Sequence, residues 1–180
     1  MPLSALARAY ARLASSERDA ESGDSFRLLA QAMVAHPELV SGTARSDLAF
    51  MKAGRGDWVT KVGADGVQAF ASTSRGQAFA LKVIDGNKVA LFAATVAVLD
   101  QLGWLDARQK DELRPWRAEA IANTRGTQVG ERKPAFRLRA AGWRARELGG
   151  QGIGPWLVAG HAPCWRHGPV VRVGAGCTRA

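Results

Sequence analysis

The first 131 residues of the chain contain no cysteine, and the only two cysteines of the sequence are Cys164 and Cys177. This scarcity excludes a disulfide framework for the main part of the protein, because such frameworks need several paired cysteines. Structural zinc sites bind through closely spaced pairs of cysteines or histidines. His161 and His167 lie near Cys164, but the spacing of these residues matches no such site. We therefore expect no metal site there.

Long hydrophobic runs are also missing. No apolar stretch approaches the ~20 residues that a membrane-spanning helix needs, and the N-terminus lacks the apolar core of a signal peptide. These absences favour a cytoplasmic protein without a membrane partner. The length of 180 residues suits one domain of ordinary size, which can bury roughly 70% of its unfolded surface.

Acidic residues almost disappear from the last part of the chain. Residues 1–131 carry 16 Lys and Arg against 15 Asp and Glu, whereas residues 132–180 carry 9 basic residues against the single Glu147. This last part holds 9 of the 20 glycines and shows no lasting periodicity. Such a composition is typical of GC-rich DNA translated out of frame. We expect a folded unit over residues 1–139 and a disordered or out-of-frame segment over residues 140–180, called the basic tail below.

The basic tail has an alternative interpretation as an evolved nucleic-acid-binding arm. Trp143, Trp156 and Trp165 are interleaved with arginines there, a combination found in single-strand binders. A folded binder needs ordered stacking platforms, however, and the tail has no periodicity from which they could form. We therefore expect no nucleic-acid partner. Binding with a steep salt dependence that disappears on removal of residues 140–180 would favour the alternative.

Hydrophobic periodicity in the front part of the chain predicts an α+β fold. Apolar residues recur at helical spacing over residues 3–14 and 25–35. Three apolar runs over residues 58–62, 66–72 and 77–84 are typical of strands, with tight turns between them. Consecutive strands joined by short turns pair antiparallel. The sequence therefore predicts an antiparallel sheet flanked by helices.

Side-chain positions within two helices follow from the same patterns. In the second helix, Phe26, Leu29 and Met33 are expected to point inward. Further along, Asp106 followed by Gln109 predicts a capping box at the start of a short helix.

A helix predicted over residues 88–102 is apolar on nearly all of its sides. This composition predicts burial on more than one side. Because three strands alone cannot cover all these sides, we expect a large exposed apolar patch here, and with it a tendency to self-associate.

A lysine that precedes a glycine by two positions distinguishes the first predicted strand. Lys61 lies on a β-branched run, and Gly63 follows it where a turn begins. On an inner strand such a lysine can point its ammonium group into a cleft, and the glycine lets a substrate approach the backbone. The pattern resembles the Lys-Thr-Gly element of serine β-lactamase-like enzymes, with Val62 in place of threonine. By spacing alone, the alternative of a solvated strand lysine is favoured.

The surrounding sequence is similar, nearly residue for residue, to a known enzyme family. The similar segments read His-Pro-Glu-Leu-Val-Ser-Gly-Thr at 36–43, Arg-Ser-Asp at 45–47, Thr-Lys-Val-Gly-Ala-Asp-Gly-Val at 60–67 and Leu-Lys-Val-Ile-Asp-Gly-Asn at 81–87, with further similarity at 6–14 and 123–130. They resemble the C-terminal half of the asparaginase II family, the Rhizobium-type L-asparaginases. Ala44 departs from the family pattern, which often has glycine before the arginine.

The resemblance implies a serine β-lactamase-like fold, of which this chain would form the C-terminal part. It also implies hydrolysis of L-asparagine to L-aspartate and ammonia, with Lys61 as the second lysine of the active site. In the family, the nucleophilic serine lies on a Ser-x-x-Lys turn, and the metal-binding set includes two cysteine-containing segments. All of these precede the part that this chain resembles.

The chain contains no substitute for the missing nucleophile turn. No Ser or Thr in the 180 residues is followed three positions later by Lys. We therefore expect a partial chain that is inactive alone and has no cofactor or metal site of its own. It is expected to bind L-asparagine only when complemented by an N-terminal half.

Four further residues are candidates for substrate binding. Gly63 and Gly66 could give the substrate amide room and supply backbone donors, and Asp65 could bind the α-amino group. Arg45 could meet the substrate carboxylate. Each has a structural alternative: the glycines and Asp65 can simply form turns. For Arg45 we favour an ion pair with Asp47.

The remaining polar residues of the similar segments have weaker claims to a functional role. His36 precedes a proline at a helix end, and a hydrogen bond to the backbone is favoured over a role as a base. Lys82 and Asp85 flank a strand end and are expected to be architectural. The main alternative to an asparaginase is a non-catalytic remnant or interaction module built from the same half-domain. A Ser-x-x-Lys segment in the upstream reading frame would indicate a broken enzyme gene instead.

Overall fold

The computed structural model of the protein describes residues 2–16, 23–117, 119–138 and 157–158. Its helices are α1 (Leu3–Ala14), α2 (Gly23–Ala35), α3 (Pro37–Ser41), α4 (Ser46–Gly54), α5 (Lys88–Gln101), α6 (Ala107–Glu112) and α7 (Arg114–Arg117). Its strands are β1 (Trp58–Gly63), β2 (Val67–Ser72), β3 (Gln77–Lys82), β4 (Glu119–Ala122), β5 (Gln128–Arg132) and β6 (Leu157–Val158).

A four-stranded sheet organises the molecule. The strand order is β1-β2-β3-β6, in which the first three strands form an antiparallel meander and β6 pairs parallel to β3. Helix α1 packs against β2 and β3 on one face, and α5 packs against the same strands on the other. The predicted α+β class, with an antiparallel sheet flanked by helices, is confirmed.

The face of the sheet that contacts α1 is built from alanines. The buried side chains at this contact are Ala7, Ala11, Ala14, Ala71, Ala78 and Ala80. Because the buried side chains at this contact are small, the helix can lie close to the strands, with Leu3, Leu6 and Tyr10 packed around them. The N-terminal helix is thereby held against the middle of the sheet.

The opposite face carries the aromatic core. Phe70 of β2 stacks on Phe79 of β3 with ring centroids 5.1 Å apart. Trp58 and Phe50 contact Phe70 edge-on, at centroid distances of 5.2 and 6.1 Å. Side chains alternate between the two faces of a strand, so β2 presents Phe70 to this core and its alanines to α1.

Helix α5 is buried on more than one side, as the sequence predicts. Its buried side chains are Leu91, Ala93, Ala94, Thr95, Val96, Val98 and Leu99. Beyond the sheet, α7 packs against it, and the chain after β5 adds further cover. The Gln101 side chain donates to the Phe136 carbonyl at 3.2 Å and accepts from the Leu138 amide at 2.7 Å. The predicted exposed apolar patch on α5 is therefore wrong.

Exposed leucines lie on α2 and α3 instead. The exposed fractions are 69% for Leu28, 49% for Leu29 and 80% for Leu39. The prediction that Leu29 points inward is wrong, because the buried stripe of α2 runs through Ala30, four residues after Phe26. Phe26 itself is half-buried, as predicted.

The hairpin of β4 and β5 is not predicted by the sequence pattern. Its strands pair antiparallel with a bulge after Ile121, opposite Gly130. At the turn, the Asn123 side chain accepts from the amides of Arg125 and Thr127, both at 3.0 Å. Residues 120–129 are all exposed, so this hairpin lacks the buried alternating stripe that identifies a strand in a sequence.

The short strand β6 falls inside the basic tail. It pairs with Phe79 and Ala80 of β3. The other residues of 140–180 lie outside the described residues, as do both cysteines. The division of the chain after residue 139 and the predicted character of the tail stay predictions.

Candidate functional site

The ammonium group of Lys61 lies at the outer edge of the sheet. Among the described residues, strand β1 pairs only with β2, so Lys61 does not lie on an inner strand of this sheet. Lys61 pairs with Ala69 of β2, and its side chain is 45% exposed. Its Nζ donates to the Val62 carbonyl at 2.7 Å and lies 3.7 Å from Asp47 Oδ2. Lys61 is thus held at the strand edge beside the first turn of α4.

The carboxylate of Asp47 is completely buried against β1 and β2. Its Oδ2 accepts from the Val62 amide at 2.9 Å, and its Oδ1 accepts from Gln68 Nε2 at 2.9 Å. Thr60 Oγ1 lies 3.5 Å from Oδ1 and donates a shorter bond, of 2.9 Å, to the Ala69 carbonyl. A buried carboxylate needs this many donors, because removing a charge from water costs free energy unless partners replace the water.

The predicted ion pair between Arg45 and Asp47 is wrong. Arg45 is exposed just before α4, while Asp47 faces the interior. Residues two positions apart at a helix start do not face each other, so the two side chains leave the backbone on different sides. Arg45 remains a candidate for binding a substrate carboxylate.

Asp65 occupies the turn between β1 and β2 with a φ of +60°. Its carboxylate is 80% exposed and lies 3.0 Å from Lys82 Nζ, which also donates to the Asp65 carbonyl. Lys82 thus ties this turn to the end of β3, in keeping with the architectural role predicted for it. A role for Asp65 in binding a substrate amine stays a prediction.

The two candidate glycines have different surroundings. At Gly66, with a φ of +72°, an added Cβ would lie 2.8 Å from the Val83 carbonyl oxygen and 2.9 Å from the Gly86 Cα. The same turn is bonded to the next one through the Val83 amide and the Gly66 carbonyl, at 2.8 Å. Gly63 is exposed, and the nearest atom that an added Cβ there would meet is the Val67 Cβ at 3.3 Å. The space beside Gly66 is therefore filled by backbone, whereas the nearest neighbour of the exposed Gly63 is a side chain.

This contrast gives a stability prediction. Gly66→Ala should lower the free energy of unfolding by about 2–4 kcal/mol, since it adds left-handed strain and a clash with fixed backbone. Gly63→Ala should cost less than about 1 kcal/mol. Urea unfolding of both variants measures the difference, and equal losses would contradict the packing described for Gly66.

His36 lies between α2 and α3, where its Nδ1 is 3.7 Å from Glu38 Oε1. The exposed fraction is 63% for the His36 side chain and 50% for the Glu38 side chain. No contact joins His36 to Lys61 in the part of the chain that the structure describes. The geometry thus brings Lys61 together with Asp47 and leaves His36 apart.

The Tyr10 side chain packs from α1 against the buried cluster of Leu13, Ala30 and Val59. Burial and, to a smaller degree, the negative charge of Asp47 raise the pKa of Tyr10 from 10.0 to about 12. The pKa of Tyr10 is therefore sensitive to the charge of Asp47. It is also the only tyrosine of the chain, so its ionisation can be followed without interference from another tyrosine.

The raised pKa of Tyr10 predicts a loss of stability at high pH. Between pH 10 and about 12 the unfolded chain loses the tyrosine proton while the folded chain keeps it. Stability therefore falls as the pH rises, by about 3 kcal/mol at most. Urea unfolding across this range measures the loss, and Tyr10→Phe should remove this part of it. A pH jump followed at the tyrosinate absorbance should give a folded-state midpoint near 12, and a midpoint at the ordinary value would contradict the burial.

An open depression lies at the Trp58 end of β1, away from Lys61. It has a volume of about 310 Å³ and is lined by Gly54, Asp57, Trp58, Arg75, Gly103, Trp104, Leu105, Asp106 and Gln109. Asp57 accepts there from Ser72 Oγ at 2.7 Å and from Arg75 Nη1 at 3.2 Å. Its carboxylate is used to hold the turn between β2 and β3.

Two kinds of site are missing from the described residues. No group of three or more His, Cys, Asp or Glu among them could hold a metal ion. Within the same residues, no helix has both the length and the apolar character needed to cross a membrane.

The sequence does not reveal that Asp47 is the partner of Lys61. Nor does it reveal that Thr60 and Gln68 lie beside the Asp47 carboxylate. Gln68 is fully buried within a strand that otherwise buries Ala69, Phe70 and Ala71. A glutamine in such an apolar run is the one local signal of a buried polar cluster. The partner of that glutamine could not be read from the run, because Asp47 lies 21 residues earlier.

A family model described as L-asparaginase II matches residues 1–134, which include Lys61, Asp47 and the hairpin of β4 and β5. No match to a curated protein is found.

Proposed function

Because the chain belongs to the L-asparaginase II family, we propose that it takes part in hydrolysing the side-chain amide of L-asparagine to L-aspartate and ammonia. Lys61 is the catalytic side chain that these residues contribute. The observation that carries this proposal is the position of its ammonium group, half exposed at the sheet edge and backed by the buried Asp47.

The geometry leaves Lys61 able to act on a second group. An ammonium has three N–H donors, and Val62 and Asp47 engage two of them at most. The third can donate to a serine hydroxyl or to the oxyanion that forms when this hydroxyl attacks the amide carbon. Such stabilisation of developing charge is a main source of catalysis in acyl transfer.

The nucleophile itself is proposed to come from a Ser-x-x-Lys turn outside these 180 residues, so the chain alone is inactive. The two parts would together form a serine β-lactamase-like fold, in a cytoplasmic enzyme. Gly63 and Arg45, both exposed, are proposed to contact the substrate, with Asp65 and Gly66 shaping the turn beside them.

The exposed leucines of α2 and α3 favour a second candidate, a non-catalytic interaction module. Leu28, Leu29 and Leu39 are apolar, lie on neighbouring helices and are exposed by 49–80%. Apolar surface of this kind is typical of a protein contact. Such a contact does not require a functional Lys61.

One experiment distinguishes the two candidates. The 180-residue chain is co-expressed with a separate polypeptide that carries the Ser-x-x-Lys half of a family member, and ammonia release from L-asparagine is measured. Activity that needs both polypeptides supports the enzyme. A stable complex without activity supports the interaction module.

A further inference from the structure

The surroundings of Asp47 are unusual for a residue that serves stability alone. The carboxylate is fully buried, and Lys61 is the one cation within 4 Å of it among the described residues. Replacing a buried ion pair by apolar side chains is often neutral or stabilising. A charge kept in such a place therefore points to a requirement other than stability.

The orientation of Gln68 supports the same conclusion. An ionised carboxylate can only accept hydrogen bonds, so the Gln68 amide must turn its Nε2 toward Asp47. This orientation leaves Gln68 Oε1 buried without a hydrogen-bond partner among the described residues. A buried acceptor without a partner costs free energy. The orientation of Gln68 that keeps a donor on Asp47 therefore carries a local free-energy cost.

Asp47 and Lys61 are joined through a single residue of β1. The Val62 amide donates to Asp47 Oδ2 at 2.9 Å, and the Val62 carbonyl accepts from Lys61 Nζ at 2.7 Å. The ammonium group is thereby held between a buried anion and a backbone carbonyl whose position the sheet fixes. Two contacts of this kind restrict a side chain that otherwise has many rotamers.

We propose that Asp47 is a positioning residue, which holds the Lys61 ammonium group at the edge of β1 in the orientation that the reaction needs. The catalytic role of this positioning rests on the proposed function. The restraint of Lys61 by Asp47 involves only residues of this chain, so it can be tested without measuring activity.

The pair of Lys82 and Asp65 provides a matched control. Its Nζ to Oδ2 distance is 3.0 Å, shorter than the 3.7 Å of the Lys61 pair, but Asp65 is 80% exposed and Asp47 is fully buried. A solvated carboxylate on a turn restrains its lysine weakly. Comparison of the two pairs therefore distinguishes the effect of an ion pair alone from the effect of a buried carboxylate whose position is fixed.

The test measures lysine reactivity in the full 180-residue chain. Lysines are acetylated briefly with a limiting amine-reactive ester, and the extent at Lys61 and Lys82 is read by mass spectrometry. Asp47→Asn should raise labelling of Lys61 about two- to fivefold, the size expected for loss of a partly exposed ion pair, and leave Lys82 unchanged. Asp65→Asn should raise labelling of Lys82 alone. Unchanged labelling of Lys61 in Asp47→Asn would overturn the proposal.

A second variant covers the case in which Asp47→Asn does not fold. Gln68→Leu keeps both charged residues, removes one donor from Asp47 and removes the unpaired Oε1. It should raise labelling of Lys61 more weakly while the melting temperature shows a folded chain. A folded Gln68→Leu with unchanged labelling of Lys61 would also overturn the proposal.

Activity separates this inference from the function on which it rests. In the complemented enzyme, Asp47→Asn should lower kcat by about tenfold or more with little change in KM, because the positioned ammonium acts in the transition state. Absence of activity in the complemented wild type would defeat the proposed function, but it would leave the labelling result intact. A complemented Asp47→Asn enzyme with wild-type kcat would defeat the positioning role.

Discussion

The 180-residue chain on its own is expected to release ammonia from L-asparagine no faster than the background rate. None of its Ser or Thr residues has a lysine three positions later, and loss of a nucleophile lowers turnover on the order of a millionfold. A coupled assay for ammonia with purified chain measures this. Turnover near ~10 per second, a typical value for enzymes, would contradict the proposed division of the active site.

The control for this prediction is the Lys61→Ala variant, purified in the same way. Any ammonia release that survives this substitution comes from a contaminating enzyme, since the proposal assigns no activity to a chain without Lys61. Activity present in the wild type and lost in Lys61→Ala would instead show that the chain carries its own nucleophile.

Lys61→Ala should also abolish most of the activity of the complemented enzyme. We expect a fall in kcat of about 10²–10⁴-fold, the range for removal of a group that transfers protons or stabilises charge in the transition state. Lys82→Ala should have a much smaller effect on kcat, because Lys82 pairs with Asp65 at the turn. Equal losses from the two substitutions would show that the catalytic lysine has been assigned to the wrong strand.

Stability provides the second measurement on the same variants. Lys61→Ala leaves the buried Asp47 without a cation within 4 Å, but the half-exposed lysine is screened by solvent. The cost is therefore only about 1 kcal/mol, a fall in Tm of a few degrees. A large fall in Tm would mean that lost activity reflects unfolding rather than chemistry.

Local patterns predicted those parts of the fold that local interactions determine. The capping box is confirmed, with Asp106 Oδ1 accepting from the Gln109 amide at 2.7 Å and Gln109 Oε1 accepting from the Asp106 amide at 2.9 Å. The strand that carries Lys61 also lies where its apolar run predicts, ending one residue later at Gly63. Each of these features depends on residues close together in the chain.

Features that depend on distant residues were not predictable in the same way. The edge position of β1 among the described strands follows from the order β1-β2-β3-β6, and it cannot be read from the sequence of β1 itself. The cover on α5 comes from Phe136 and Leu138, more than thirty residues later. The closeness of Arg45 and Asp47 in the sequence suggests an ion pair between them. In the structure, the buried Asp47 carboxylate instead accepts a hydrogen bond from the amide of Val62, 15 residues away.

The backbone contact between Gly66 and Val83 joins the turn after Lys61 to the turn that precedes α5. The Val83 amide bonds to the Gly66 carbonyl at 2.8 Å, and no side chain separates Gly66 from Gly86. Just beyond, the Asn87 side chain caps α5 by accepting from the Ala90 amide at 3.0 Å. The two turns are therefore expected to move together, so a substitution that displaces the Gly66 turn should also shift the N-terminus of α5.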